Sequence, residues 1–396
     1  MSDHDQTPPL LRPNMQDLTR IAGEVSEVSE IQQQLVDQHK NLKFPDRVAH
    51  QYQIAGGKVL FRVAEGLPAT LNGIGLFQPN AEHIGVGRIS TGLGTPHIET
   101  NPDFVGARLS FMTKDGQRVD FLGINDPGSP TANHRDFIDV LHATGEAAGA
   151  EMPLIGDWGA YDVGNLLAEQ KEVAVALAKR MGLIKGGKTL AHIVKQSLRT
   201  IRSSTAYQSY WTGIVEVSQT LGKFTLIAVT DENHSPGFRP GERHLSDDWR
   251  YRQTAGDLAF NLYWIPYLSE VQTPTKDLTL GWEEQHKELV GTVTFPKTDP
   301  ASQEAKLWAI LASEMGANPG NWVSDKDHII KEPSTEFGVA RKLAYALSHK
   351  GRDVLESSWY QSVFSNGHIS SDLARELIRR QEAKDSAGHI NSAPVT

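Results

Sequence analysis

Tyr345 follows Arg341 by four residues and precedes Arg352 by seven. On a helix, spacings of four and seven return to one face, so the three side chains would line up on one side. A guanidinium beside a phenol favours phenolate, a ligand suited to ferric iron. The same residues also suit a surface helix in which Tyr345 packs on its neighbours and the arginines are solvated. His50, shortly after Arg47-Val48, could act as an acid/base or as a hydrogen-bonded structural group. The 396 residues include no cysteine, which excludes disulfides, iron–sulfur clusters, thiolate-held metals and a thiol nucleophile. Any metal must be held by His, carboxylate, Tyr or Met.

A second constellation, Gly182-Leu183-Ile184-Lys185-Gly186-Gly187-Lys188-Thr189, satisfies GxxxxGK[ST]. In a phosphate loop the glycine amides cradle phosphates, the Lys reaches the outer ones and the hydroxyl holds magnesium. Such a loop needs a strand before it and a helix after it. Here the preceding stretch, 165–180, is rich in Leu, Ala, Glu and Lys and reads as helix. The pattern therefore predicts a glycine-rich turn between two helices, with Gly182 as C-cap. Nucleotide binding is the alternative. His134-Arg135-Asp136 matches the start of a kinase catalytic loop, but no downstream Asn or glycine-rich loop accompanies it.

The elements that must position these residues follow from periodicity. A helix is predicted over 15–39, with Leu18, Ile21, Val25, Val28, Ile31 and Leu35 forming an apolar stripe. That stripe would lie on the body of the protein or on a second subunit, making a homo-oligomer through this helix a possible partner arrangement. Strands are predicted at 59–63, 84–91, 108–113, 118–125, 208–217, 224–230, 258–268 and 289–295. Eight strands, interrupted once by a helical insertion at 133–203, fit a closed antiparallel barrel without exposed edges. Helices resume at 301–315, 338–347, 354–363 and 371–382. The fold class is therefore α+β: an N-terminal arm and helix at 1–43, a barrel with helical insertion at 44–300, and a helical region at 301–396. Residues 1–14 and the tail after Lys384 are polar and are expected to be mobile.

The net charge of −9 argues against a general nucleic-acid binder. No apolar run approaches 18 residues, and the N-terminus lacks a cationic start followed by an apolar core. The expected location is cytoplasmic, with no membrane partner.

Several segments, taken in order, resemble the heme catalase superfamily. Phe44-Pro45-Asp46-Arg47-Val48-Ala49-His50 and the Gly56-Gly57 strand that follows are similar to the family's opening Pro-[Asp/Glu]-Arg-Val-x-His segment. Gly87-Arg88-Ile89-Ser90-Thr91 is similar to its Arg-Phe-Ser-Thr strand. Asp120-Phe121-Leu122-Gly123-Ile124-Asn125-Asp126-Pro127 is similar to Asp-Leu-x-Gly-Asn-Asn-Thr-Pro. Arg341, Tyr345 and Arg352 match its heme-ligand helix. Tyr210-Trp211, Gly222-Lys223-Phe224 and Pro274 to Asp277 with Trp282 resemble the minimal catalase-related peroxidase and allene oxide synthase-like branch.

The resemblance implies an eight-stranded barrel holding heme b, with Tyr345 on the iron. It implies that His50 is the distal acid/base, that Asn125 donates to bound peroxide, and that Ser90 fixes the imidazole tautomer. Val48 would line the heme, and Arg47, Arg88, Arg341 and Arg352 would serve the cofactor, three of them (Arg47, Arg88 and Arg352) at its propionates. The implied activity is cleavage of hydrogen peroxide or an organic hydroperoxide, with an organic reductant as a further partner. A hydroperoxide isomerase or lyase, a biosynthetic heme enzyme of this fold and a non-catalytic heme-binding protein are the alternatives.

The sequence also departs from the pattern. Asp126-Pro127-Gly128-Ser129-Pro130 stands where larger catalases carry paired phenylalanines that narrow the pocket. Gln51 to Ala55 replaces a short small-and-basic run, and Ser334 to Gly338 replaces His-Arg-Pro-Leu-Gly. The chain stops soon after Arg352, so the extra C-terminal domain and bound-nucleotide region of long catalases are expected to be absent. A wider pocket that admits organic molecules is the expected consequence.

Overall fold

The structure is a computed structural model that describes residues 13–38, 47–92, 99, 103–147, 171–202, 204–217, 220–229, 244–323, 330–331 and 335–386. Phe44-Pro45-Asp46, Thr230, Ser334, and the polar ends at 1–12 and 387–396 lie outside the described residues, as does 148–170 of the helical insertion.

Eight strands close a barrel. They are β1 (Gln53–Val63), β2 (Glu82–Thr91), β3 (Val105–Met112), β4 (Arg118–Ile124), β5 (Tyr210–Val217), β6 (Thr220–Ala228), β7 (Leu258–Pro266) and β8 (Glu288–Phe295). The pairings β1–β8 and β4–β5 join two antiparallel meanders into one ring. The two-residue β9 (Ile330–Lys331) adds to β5 at Glu216 and Val217. Closure satisfies the edge hydrogen bonds that an open sheet would expose. β1 starts at Gln53, earlier than predicted, because Gly56 and Gly57 pair with Arg88 and Gly87 in the ladder. A glycine pair reads as a turn in sequence, whereas here it continues a strand.

Strand alternation separates the barrel interior from its outer wall. Val105, Ala107, Leu109 and Phe111 of β3 join the interior core with Phe61, Phe121 and Phe224. Gly106, Arg108 and Ser110 face outward between them. Arg108 donates to the carbonyls of Ala312 and Met315, at 2.8 Å each.

Helices pack on that wall and on one another. They are α1 (Met15–Gln38), α2 (His134–Ala147), α3 (Lys171–Met181), α4 (Leu183–Arg202), α5 (His244–Ala255), α6 (Gln303–Glu314), α7 (Glu336–Gly351), α8 (Ser357–Asn366) and α9 (Ser371–Ser386). The α1 stripe is used within the chain: Ile21, Val25, Val28 and Ile31 are buried with Ile138, Leu141, Ala340 and Ala344. Helix α5 was not predicted, because Leu245 and Trp249 are its only buried apolar anchors in a polar segment.

The GxxxxGK[ST] segment is not a phosphate loop. Gly182 has φ 81 and ends α3, and the remaining residues lie inside α4. The Gly186 amide donates to the Gly182 carbonyl at 2.9 Å, so a helix bond takes it. A Cβ at Gly186 would lie 2.8 Å from the Leu177 backbone. The glycine lets α3 and α4 cross closely, as the turn between helices predicts.

Candidate functional site

Helix α7 presents one working face. Its N-cap is Thr335, whose hydroxyl accepts from the Gly338 amide at 3.2 Å. Ala340 and Ala344 turn toward α1, and small side chains there let the two helices approach closely. The adjoining stripe, with Arg341, Tyr345 and His349, lines a cavity of roughly 1530 Å³ between the barrel wall and the helices, and Ala344 reaches its edge. The helix stops at Gly351, so Arg352 is its C-cap in extended backbone (φ −130, ψ 151) rather than a member of a continued face. Arg352 still lines the same cavity. The Arg341 guanidinium stands 5.8 Å over the Phe337 ring. A Cβ on Gly213 of β5 would lie 2.3 Å from its Nη1, so glycine leaves room for this arginine.

His50 stands on the barrel side of the cavity, in a strained backbone conformation. Its φ is 57, a left-handed value that non-glycine residues adopt rarely and at an energetic cost. Three constraints hold it. Its amide donates to the Gly92 carbonyl at 2.9 Å. Arg88 Nη2 donates to the His50 and Gln51 carbonyls at 2.9 and 3.2 Å, and Arg88 Nε donates to Gln53. Gly106 leaves room for the imidazole, since a Cβ there would lie 2.3 Å from its Cε1. Phe104 meets the ring edge-on with centroids 5.9 Å apart.

The tautomer follows from the partners. His50 Nδ1 lies 3.1 Å from the Thr91 carbonyl, which can only accept, so Nδ1 carries the proton. Ser90 Oγ lies 3.3 Å from the same nitrogen. Nε2 is then the basic nitrogen. Burial, then the positive charges of Arg88, Arg47 and Arg341, pushes the imidazole down to about 3, against the Thr91 carbonyl. At neutral pH it is an uncharged base.

Not every predicted residue serves the cavity in the same way. Arg47 and Val48 line it, and Arg47 donates to the Ser313 carbonyl at 2.5 Å, at the end of α6. Asn125 is buried: its Oδ1 accepts from the Val105 amide at 2.9 Å and its Nδ2 donates to Gln208 at 2.7 Å. Its neighbours Ile124 and Asp126 line the cavity instead.

Sequence reasoning assigned no site role to several titratable side chains in the lining, among them Arg108, His349 and Lys223. Arg108 holds the end of α6, as described above. His349, four residues after Tyr345, is pushed down to about 3 by burial and by Arg352, Arg47 and Arg118. Burial pulls the Lys223 ammonium down to about 8, opposed by the charge of Asp126. The four-residue step from Tyr345 was a readable signal for His349. Lys223 offered the alternation of β6 and its place in the Gly222-Lys223-Phe224 segment, neither of which gave it a role.

No protein-family model matches the sequence, and no curated protein matches it. Solved structures do resemble this one. A bacterial catalase superposes with a TM-score of 0.52 at 16% identity, over 91% of this chain and 65% of that one. The fold is catalase-like. A fungal catalase gives 0.52 at 14% identity, over 78% of this chain and 59% of its own. Catalase A from Saccharomyces cerevisiae gives 0.54 at 14% identity, over 81% and 63%. The chain thus spans less than two-thirds of the length of these catalases. The catalase-like barrel and its cladding helices agree with the fold expected from sequence. Among the described residues, no helix is long and apolar enough to cross a membrane.

Proposed function

We propose that this protein is a heme-dependent oxidoreductase that cleaves hydrogen peroxide or an organic hydroperoxide, closest to the minimal catalase-related peroxidase branch. One observation carries the reading: a phenol on α7 and a neutral, tautomer-fixed imidazole on the barrel line one cavity rich in arginine. The residues fit heme b. Tyr345 offers a phenol oxygen as donor, and Arg47, Arg341 and Arg352 supply positive charge for two propionates. Gly106 makes room for His50 and Gly213 for Arg341, two of the side chains that would serve it. The volume exceeds the roughly 300–1,000 Å³ of ordinary small-molecule pockets, which suits a cofactor plus a substrate. When bound, heme supplies the redox-active ferric iron that a Tyr ligand tunes.

The chain's own residues handle binding and protons. His50 Nε2 is placed to take a proton from one peroxide oxygen and return it to the other, the proton movement that releases water or an alcohol when the O–O bond is cleaved; heme, when bound, would take up the remaining oxygen and supply the two electrons, which the reductant would restore. Its low proton affinity makes it an uncharged acceptor before reaction and a strong donor afterwards. Ser90 and the Thr91 carbonyl keep Nε2 as the working nitrogen. Arg88 holds the backbone that carries His50, a positioning role beside the charge it lends. The peroxide hydrogen bond expected of Asn125 requires its amide nitrogen, which here donates to Gln208. Small residues at Pro127 to Pro130 favour an organic hydroperoxide, or an organic reductant beside hydrogen peroxide.

The test is an absorption spectrum with iron content after heme supplementation. A Soret band with about one iron per chain is expected, and Tyr345→Phe should abolish or shift it. A colourless wild-type protein refutes the reading. An unchanged Tyr345→Phe spectrum refutes the ligand. Conversion of a hydroperoxide without added reductant would favour an isomerase or lyase, and bound heme without turnover a heme-binding protein.

A further inference from the structure

One charged group in the cavity has no part in the proton chemistry. Lys223 is 5% exposed and lines the same cavity as Tyr345 and His50. It lies on β6 between Gly222 and Phe224, and Phe224 points into the barrel core, so alternation sends Lys223 outward. An ammonium has three N–H donors, and burying one is costly unless those donors are used. Among the described residues its hydrogen bond is to the Pro127 carbonyl, at a long 3.4 Å. Its Nζ also stands 5.0 Å over the Trp282 ring, a favourable but weaker contact. Asp126 acts on it through space, but no ion pair within 4 Å joins them, and Asp126 Oδ1 accepts from the Gly128 amide at 2.9 Å.

The surroundings define what would use those donors. The lip beside the ammonium is Pro127, Gly128 and Ser129, held open because the Ser129 amide is tied to the Leu278 carbonyl at 2.7 Å. A Cβ at Gly128 would lie 2.1 Å from the Thr279 carbonyl, so this lip cannot grow side chains inward from that position. Tyr267, Leu268 and Leu278 add ring and aliphatic surface, and Glu270 and Lys276 bring one charge of each sign to the same cavity. A buried ammonium amid apolar lining selects a ligand with one negative charge and an apolar body. A dianion such as a phosphate monoester would leave a charge unmatched, with Asp126 nearby to repel it.

We propose that Lys223 makes this lobe a subsite for a monocarboxylate with a compact apolar body, which it anchors while the rest of the molecule faces the His50 side of the cavity. The proposal rests on reading the cavity as the reaction site, and it names the class of the organic co-substrate. Lys223 is a specificity residue here: it holds the carboxylate and takes no part in proton transfer.

The probes are benzoate and benzamide, near-isosteres that differ in charge, titrated calorimetrically into the purified full-length protein. Wild type should bind benzoate about tenfold or more tightly than benzamide, as a charge-assisted hydrogen bond predicts. Lys223→Met should erase that preference, and Lys223→Arg should restore part of it. Equal binding of the two probes by wild type overturns the proposal without any variant. A preference that survives Lys223→Met also overturns it, because the anion then sits on the arginines near Tyr345. The Soret band is recorded on the same samples. Selective benzoate binding without a Soret band keeps the subsite and refutes heme, whereas a Soret band without selectivity refutes the subsite alone.

Discussion

The two ends of the cavity are built in opposite ways. Around His50 every freedom is removed: a left-handed backbone, an amide tied to Gly92, carbonyls held by Arg88 and an imidazole seated against Gly106. Around Pro127 to Pro130 the wall is made of small residues, and the buried ammonium beside them, Lys223, keeps a single long hydrogen bond among the described residues. Strain and tight hydrogen bonding suit a group that must meet a reacting atom in one geometry. A wall of small residues suits a region that admits molecules of differing shape. Under the proposed function, reaction and selection would be separated in this cavity, the first resting on backbone constraints and the second on side-chain size and charge.

The largest expected effect breaks the first end. His50→Ala should retain heme, read from an intact Soret band, and lower kcat for peroxide cleavage by about 10²–10⁴-fold. Undiminished turnover would remove His50 from the proton chemistry. A smaller effect sharpens the second end. Ser129→Phe should narrow the lobe and lower kcat/KM for a bulky hydroperoxide by roughly tenfold relative to hydrogen peroxide, in line with the cost of an ill-fitting group in a pocket. If both substrates lose equally, the lobe does not select.

The smallest effect concerns stability. His50 and His349 are both held near 3, well below an ordinary imidazole at 6.5. Between those values the unfolded chain binds more protons than the folded one, so stability rises with pH through this window. It is lost as pH falls below about 6.5, by up to about 1.4 kcal/mol per pH unit for each imidazole. Chemical denaturation between pH 5 and 7 checks this, and the slope should be shallower in His50→Ala. An equal slope would mean that His50 does not share in the acid sensitivity.

Much of the molecule was legible in advance. The eight strands appear near their predicted places, because period-two alternation and turn residues survive in a half-buried wall. Arg341 and Tyr345 share a face because a helical repeat is a local property. The GxxxxGK[ST] segment shows the limit of a motif, since the same letters sit inside a helix once their neighbours are helical. Helix α5 was illegible because two apolar anchors in twelve residues carry too little periodicity. The departure at 126–130 was visible as a run of small residues. Its consequence, the exposure of Lys223 to the cavity, was not.

Sequence alone therefore determined what depends on short spacing: the strand and helix pattern, the Arg341–Tyr345 pair, and, through the absence of cysteine, the exclusion of thiolate ligands. Tertiary structure decided what depends on distant segments meeting. His50 and Tyr345 lie almost 300 residues apart in the chain and line one cavity only because the barrel wall and α7 pack across it. The His50 tautomer rests on Thr91, its space on Gly106, and the charge of Lys223 on a cavity that no local pattern describes. Local spacing encodes which groups can act together on one element. Proton affinity and ligand selection arise from burial and from charges brought in from elsewhere, and burial exists only once the chain has folded.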